Sequence, residues 1–418
     1  MKILVIGSGG REHAIARKLL AEKQVTAVYC AKGNPGMTKD GICLVNIPED
    51  DHEALIDFVK KENIAWTFVG PEIPLLNGIV DDFQRAGCKI FGPTKAAAEI
   101  EGSKDFAKKL MQDNGIPTAA YQTFIELAPA VEYVKEQGVP IVIKADGLAA
   151  GKGVVVAETL PQAIHALEDM LARHKFGKSG AKVVIEEFLD GEEFSLMAFV
   201  KGSEVYPMVI AQDHKRAYDG DHGPNTGGMG AYSPVPQISD ALVAEAVEKV
   251  LKPAAIGMIE KNIPFQGILY AGLIATEKGP KVIEFNARFG DPETQVVLPR
   301  LSSSLFQIID NLLNDKVPTI MWSPQTSLGV VVAAEGYPEK YQQGMPIPSI
   351  LSSKVRVSYA GVAESENGTL QANGGRVFLV EATGSTLDEA KRKVYQTLDE
   401  LPLSKMFYRH DIGEKAGS

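Results

Sequence analysis

Short apolar runs and amphipathic stretches alternate through the first hundred residues. Ile3–Ile6, Val25–Cys30, Trp66–Val69 and Lys89–Phe91 predict strands, and Glu12–Ala21, Glu53–Lys61 and Leu75–Ala86 predict helices between them. This β-α-β alternation predicts a parallel sheet covered by helices. Glycine-bearing loops follow strand ends at residues 7–10, 32–36 and 70–72. Open α/β sheets bind ligands at such ends.

Beyond this region, Phe106, Leu110 and Met111 recur at helical spacing, and Asn114-Gly115 stops the helix. Two strand pairs follow, Val139–Lys144 with Gly153–Ala157 and Val183–Leu189 with Phe194–Val200, with helical patterns at Ala128–Glu136 and Leu160–Arg173. That composition predicts a small α+β module. Residues 212–230 are polar and glycine-rich, and long loops of this kind tend to be functional. Helix 239–261 and a strand pair at 267–286 resume regular structure. From about residue 325, short strands at Gly329–Ala334, Val355–Ala360 and Arg376–Glu381 precede a closing helix. That helix opens with a capping box, Thr386 with Glu389. The expected fold is a multidomain α/β and α+β chain. Its parts are an N-terminal α/β domain (1–103), a middle region (104–324, with a small flap module at about 121–190 and a central domain at 191–324) and a small C-terminal β-rich domain (325–418).

Composition narrows the function classes. Hydrophobic residues make up 45% and charged residues 23%, as in an ordinary globular chain. The net charge of −10 argues against a nucleic-acid binder. Cys30, Cys43 and Cys88 show no metal or disulfide spacing and fit a reducing, cytoplasmic setting. No apolar run approaches a membrane span, and Ile3–Ile6 is too short for a signal segment. A monomer is the expectation, although the sequence carries no signal for oligomeric state.

The richest chemistry lies at Glu284-x-Asn286-x-Arg288, where period-two geometry puts an acid, an amide and a cation on one strand face. Glu284 and Asn286 supply hard oxygens suited to Mg²⁺, and the planar fork of Arg288 suits a carboxylate or phosphoryl oxygen. The turn Gly7-Ser8-Gly9-Gly10-Arg11-Glu12 offers backbone N–H groups and a cation to an anion. It lacks the third glycine and the distal acid of a dinucleotide site. Lys144 ends a strand before Gly147, Gly151, Lys152 and Gly153, which is not a P-loop spacing but suits a flexible flap over phosphates. Glu186-Glu187-Phe188-Leu189 and Glu193 form an acidic hinge whose backbone suits an adenine edge, with Glu193 placed for ribose hydroxyls. Gln212-Asp213-His214-Lys215-Arg216 holds three cations, and Asn225-Thr226-Gly227-Gly228-Met229-Gly230 allows close backbone approach.

In this order the motifs resemble the ATP-grasp superfamily and, within it, the phosphoribosylamine–glycine ligase family. The match is carried by Gly9–Ala14, by 212–216, by 225–230, by Tyr408–Gly413 and above all by Arg288-Phe289-Gly290-Asp291-Pro292-Glu293-Thr294-Gln295. It covers essentially the whole chain. The resemblance implies an ATP-grasp fold behind a pre-ATP-grasp domain. It also implies ATP-dependent ligation of glycine to 5-phosphoribosylamine through a glycyl phosphate, a step of purine synthesis. By the same resemblance Lys104, Lys144, Gly151 and Lys152 face the ATP phosphates, and Glu186, Glu187, Phe188, Leu189 and Glu193 face the adenosine. Glu284 and Asn286 hold Mg²⁺ or Mn²⁺. Gly9, Gly10, Arg11, Lys215, Gly227, Gly228, Arg288, Gly290, Asp291 and Pro292 meet the substrates, and Arg288, Lys144 and Asp213 serve the chemistry. One departure stands out. Many members of the superfamily carry another metal carboxylate on the preceding strand, where this chain reads Tyr270-Ala271-Gly272. The competing readings are another ATP-grasp carboxylate–amine ligase or carboxylase, and a nucleotide sensor without turnover.

Overall fold

The computed structural model describes residues 1–147 and 153–417. At the N-terminus the strands β1 Lys2–Gly7, β2 Ala27–Lys32, β3 Cys43–Val45, β4 Ile64–Val69 and β5 Ile90–Phe91 form a parallel sheet in the order β3-β2-β1-β4-β5. Central β1 is apolar throughout because both faces are covered: Leu4 and Ile6 enter one core, Ile3 and Val5 another. The helix α1, Gly10–Leu20, starts directly from the glycine turn. It is followed by α2 His52–Glu62, α3 Glu72–Leu76 and α4 Ile79–Arg85. The single helix expected over Leu75–Ala86 is thus two. Gly78 adopts φ +85° between them, a left-handed conformation that ends one helix and re-aims the next.

Two helices that carry site residues come next, α5 Lys95–Gly102 and α6 Lys104–Asp113. Ser103 separates them and caps α6 by accepting from Phe106 N. The small module is an antiparallel sheet of β6 Tyr121–Phe124, β7 Ile141–Ala145, β8 Val154–Ala157 and β9 Val183–Glu187, ordered β6-β9-β7-β8. Helices Leu127–Gln137 and Leu160–Leu167 close a core of its own.

The chain continues through β10 Glu192–Lys201, β11 Glu204–Pro207, β12 Gln212–Asp213, β13 Arg216–Tyr218, β14 His222–Asn225 and β15 Gly230–Ser233 to the long hairpin β16 Gln266–Thr276 and β17 Gly279–Asn286. The central sheet is β11-β10-β16-β17. Residues 212–230, read as loop in the sequence, hold a β13–β14 hairpin and two strands that join the C-terminal sheet. These strands run two to four residues and are diluted by glycine, too short for a period to show. The C-terminal sheet therefore reaches back ahead of residue 325: β12 and β15 line up beside strands Thr326–Ala334, Arg376–Gly384 and Arg356–Tyr359. In the closing helix Leu387–Asp399, Thr386 accepts from Glu389 N, but the Glu389 carboxylate bonds Ser385 instead of completing the capping box. No helix among the described residues is long and apolar enough to cross a membrane.

The C-terminal segment pins the 216–221 turn. Arg409, 1% exposed, forks onto Asp411 at 2.7 and 2.6 Å and reaches Arg216 O and Asp221 at 3.0 and 2.9 Å. His410 N and Gly220 N close the same joint through Asp219 and Asp411. Arg409→Met leaves Asp221 to Lys415 and Asp411 to Gly220 N but removes the cation that joins them, so we predict a loss of about 1–3 kcal/mol in denaturant unfolding and faster proteolysis within 216–225. Unchanged stability and an unchanged cleavage pattern would show that the clamp carries no load.

Candidate active site

The hairpin β16–β17 and helices α5 and α6 enclose the site from below, and β7 and β9 of the small module close it from above. Glu284 lies opposite Gly272 and Asn286 opposite Tyr270 in the strand register. Arg288 follows just past the end of β17. On α6, Lys104 and Lys108 sit one turn apart on one face. Together with Lys144, Gly147, Glu186, Glu284, Asn286 and Arg288 they line a cavity of about 180 Å³. Lys104 Nζ donates to Gly147 O at 2.9 Å. Lys144 Nζ lies 3.0 Å from both oxygens of Glu186 and donates to Ile283 O at 3.2 Å.

Charge in this cavity is set by opposite charges held close together. Burial would raise the Glu284 carboxyl, but Lys215, Lys144, Lys104 and Arg288 outweigh it and hold Glu284 below the usual carboxylate range. Burial works against the Arg288 cation too, yet Glu101 and Glu72 keep it protonated above its ordinary range. Arg288 Nη2 lies 2.9 Å from Glu101 Oε1, and its Nε is 3.5 Å from Glu72 and makes no hydrogen bond. An arginine with a buried unused donor suits a substrate oxygen.

Glu284 and Asn286 present two hard oxygens, and Asn286 Oδ1 accepts only a long bond of 3.3 Å from Arg288 Nη2. Mg²⁺ typically takes one or two protein oxygens and completes its shell with phosphate and water, so the pair fits such an ion. Gly272 offers no acid from the neighbouring strand, and the Tyr270 hydroxyl is engaged with Glu293 at 2.5 Å and Ser195 at 2.8 Å. Among the described residues no group of three or more His, Cys, Asp or Glu is arranged to hold a metal.

The other motif residues surround this cavity. Burial pushes the Asp213 carboxyl up to about 7; Lys215 pulls against the rise, and Glu293 and Glu193 add to it. Lys215 lies 3.5 Å from Glu193, and Asp213, Glu193 and Glu284 together outweigh its burial and keep it charged. The three cations expected at 214–216 reduce to Lys215. His214 is buried against Tyr232, where burial and Arg409 push it down to about 4, and exposed Arg216 donates to Gly223 O. The alternation of a short extended strand sends neighbours to opposite sides. From the C-terminal sheet, Arg376 donates to Gly227 O and Asp291 O, both at 2.9 Å, and pairs with the Asp291 carboxylate at 3.4 Å. This ties Gly227-Gly228 to Gly290-Asp291-Pro292. The glycine turn is less open than the sequence suggests. Gly9 N donates to the Glu12 carboxylate at 2.8 Å, and Arg11 turns inward onto Glu12 and Phe289 O at 2.5 and 3.0 Å.

Some expected residues stay apart. Glu186 lines the cavity, whereas Glu187 and Phe188 are exposed, and Leu189 lies on the link to β10. Gly151 and Lys152 lie outside the described residues. Sequence reasoning missed the roles of Glu72, Glu101, Lys108, Glu293 and Arg376. Glu101, Lys108 and Arg376 lie in helices or strands without a motif, and Glu72 is visible in the sequence only as the end of the glycine-bearing loop at 70–72. Glu293 lies inside the Arg288–Gln295 run and so had a signal, but not one for its partners.

Known proteins resemble this chain along nearly its whole length. The family described as phosphoribosylglycinamide synthetase matches in three successive parts: its N domain over residues 1–101, its ATP-grasp (A) domain over 102–294 and its C domain over 327–415. A phosphoribosylamine–glycine ligase of Streptococcus pneumoniae serotype 4 is 57% identical over 418 residues, spanning 100% of both chains. The crystal structure of phosphoribosylamine–glycine ligase from Thermotoga maritima superposes with a TM-score of 0.87 at 32% identity, covering 99% of this chain and 100% of that one. A biotin carboxylase from Campylobacter jejuni superposes with a TM-score of 0.76 at 17% identity, covering 97% and 92%, a likeness of fold alone.

The raised Asp213 makes a stability prediction. With a folded value of about 7 against an ordinary value near 3.8, the unfolded chain loses this proton first. Stability from this group is therefore lost as pH rises from about 4 to 7. Asp213→Asn does not titrate, so its melting temperature relative to the parent is predicted to climb between pH 4 and pH 8. A pH-independent difference would mean that Asp213 is not desolvated.

Proposed function

The chain belongs to the phosphoribosylamine–glycine ligase family, and on that premise we propose how its site performs the family's reaction. The enzyme is an ATP-dependent carbon–nitrogen ligase that joins glycine to 5-phosphoribosylamine in purine synthesis, giving glycinamide ribonucleotide, ADP and phosphate. The observation that carries the site assignment is that Lys104, Lys144, Glu284, Asn286 and Arg288 share one cavity between the small module and the central sheet.

The carboxylate of glycine is a poor acyl donor because its leaving group would be oxide. In the proposed course one of its oxygens attacks the terminal phosphorus of ATP, the bond to ADP breaks, and glycyl phosphate forms. Lys104 and Lys144 meet the phosphates as point charges. Glu284 and Asn286 would hold a divalent ion, Mg²⁺ or Mn²⁺, which supplies charge neutralisation on the transferring group. Arg288 orients the carboxylate through its free Nε and then stabilises negative charge on the tetrahedral intermediate. The amine nitrogen of phosphoribosylamine attacks the carbonyl carbon, and phosphate leaves with the bonding electrons. Asp213, with its carboxyl near 7, is the candidate to take the amine proton. Glu186, Glu187, Phe188, Leu189 and Glu193 would meet the adenosine, and Gly151 and Lys152 the phosphates.

Gly9, Gly10 and Arg11 at the start of α1 are the candidate sugar-phosphate site, with Lys215, Gly227, Gly228, Gly290, Asp291 and Pro292 facing the remaining substrate atoms. Burial works against the Asp291 carboxylate, but Arg376 and Arg11 hold it below its usual range, leaving an anion beside the glycine turn. A cytoplasmic setting fits the unpaired cysteines.

The test is release of phosphate that requires both glycine and phosphoribosylamine. Release driven by bicarbonate or another acid would replace this reading with a related carboxylase or ligase. Glu284→Gln is predicted to lower kcat by about 10²-fold or more while leaving the fold intact, and an unchanged rate at limiting Mg²⁺ would remove Glu284 from the metal site. For Lys144→Ala the expectation is a raised KM for ATP, checked by steady-state kinetics at saturating glycine. An unaltered KM would place Lys144 away from the nucleotide.

A further inference from the structure

Lys108 has no task in the reaction as described, yet it is 2% exposed and lines the same cavity. Its Nζ donates to Thr118 Oγ1 at 2.7 Å, lies 3.2 Å from Glu186 Oε2 and stands 5.5 Å from the centre of the Tyr121 ring. Thr118 is itself fixed, donating to Val282 O at 2.7 Å. Glu186, 4% exposed, therefore meets two ammonium groups, Lys108 and Lys144. Lys144 donates to Glu186 Oε2 and Ile283 O, and Glu186 Oε1 lies 3.0 Å from it.

A phosphate oxygen that draws Lys144 toward itself competes with Glu186 for the same ammonium. A buried carboxylate that loses its one cation is strongly destabilised, and this would oppose nucleotide binding. A second cation removes the obstacle. Burial pushes the Lys108 ammonium down to about 8, against the pull of Glu186, and the nearby Lys144 adds to the lowering. Two cations crowd one carboxylate, so the departure of Lys144 relieves Lys108. Lys104 is placed differently: its Nζ donates to Gly147 O, and Glu284 is the carboxylate that acts on it most.

We propose that Lys108 is the resident counter-ion of Glu186, which lets Lys144 exchange its carboxylate partner for a phosphate oxygen of the incoming nucleotide. Lys108 is then a positioning residue that acts through Glu186 and Lys144 without touching the nucleotide. The proposal rests on the reading of this cavity as the nucleotide site.

The test is calorimetric binding of ADP and of adenosine, with Mg²⁺ but without glycine or phosphoribosylamine, so that a failed ligase assay leaves it untouched. Lys108→Met is expected to weaken ADP binding about tenfold or more while leaving adenosine, which has no phosphate for Lys144, within about twofold. Lys108→Arg should keep ADP binding within about threefold, because the charge remains. Glu186→Gln should cost less in the Lys108→Met background than in the parent, since no anion is left to hold Lys144. ADP binding unchanged in Lys108→Met, equal losses for ADP and adenosine, or additive effects in the double variant would each overturn the proposal. If Lys108→Met does not fold, Lys108→Gln, which keeps a donor but no charge, carries the same expectations.

Discussion

The site depends on carboxylates and cations packed close together and partly or wholly withdrawn from solvent. In such a space a charge is tolerable only beside its opposite, and each pairing constrains the next. Glu284 is kept ionised by Lys215, Lys144, Lys104 and Arg288. Arg288 is in turn held by Glu101 and Glu72, which come from the N-terminal helices. Glu186 is shared by Lys144 and Lys108. In the proposed course the substrates arrive as anions and take over cations that the protein's own carboxylates now occupy. The resting arrangement thus resembles the liganded one in charge, and binding becomes an exchange of partners.

No single sheet could build this arrangement. The hairpin β16–β17 supplies Glu284 and Asn286, α5 and α6 supply Glu101, Lys104 and Lys108, and the small module lowers Lys144 and Glu186 from above. The C-terminal sheet reaches back through β12 and β15, which flank the run from His214 to Met229. Arg376 fastens Gly227 to Asp291, and Arg409 fastens the 216–221 turn to the end of the chain. A change far from the cavity can therefore shift Asp213 and Lys215 without altering either residue.

Much of this was legible in the sequence where a local rule applied. The alternation of Glu284 and Asn286 follows from strand geometry, although β17 ends before Arg288, and the unbroken apolar run of β1 announces a sheet covered on both faces. The resemblance to a known family ordered the motifs, including the Arg288–Gln295 run. What could not be read was partnership across the fold. Lys108 sits in an ordinary amphipathic helix, and nothing local says that its neighbour is Glu186, 78 positions later. Glu101 and Arg288 meet only because α5 packs on β17. The two-residue strand Gln212–Asp213 is too short to show a period, which is why the 212–230 segment read as loop.

The central claim is that glycine's own carboxylate oxygen receives the phosphoryl group and departs with it. Glycine labelled with ¹⁸O in the carboxylate tests this directly, with the phosphate released in a single turnover read by mass spectrometry. The proposed course requires one labelled oxygen to move from glycine to each phosphate formed. Phosphate free of label, alongside normal yield of glycinamide ribonucleotide, would contradict it.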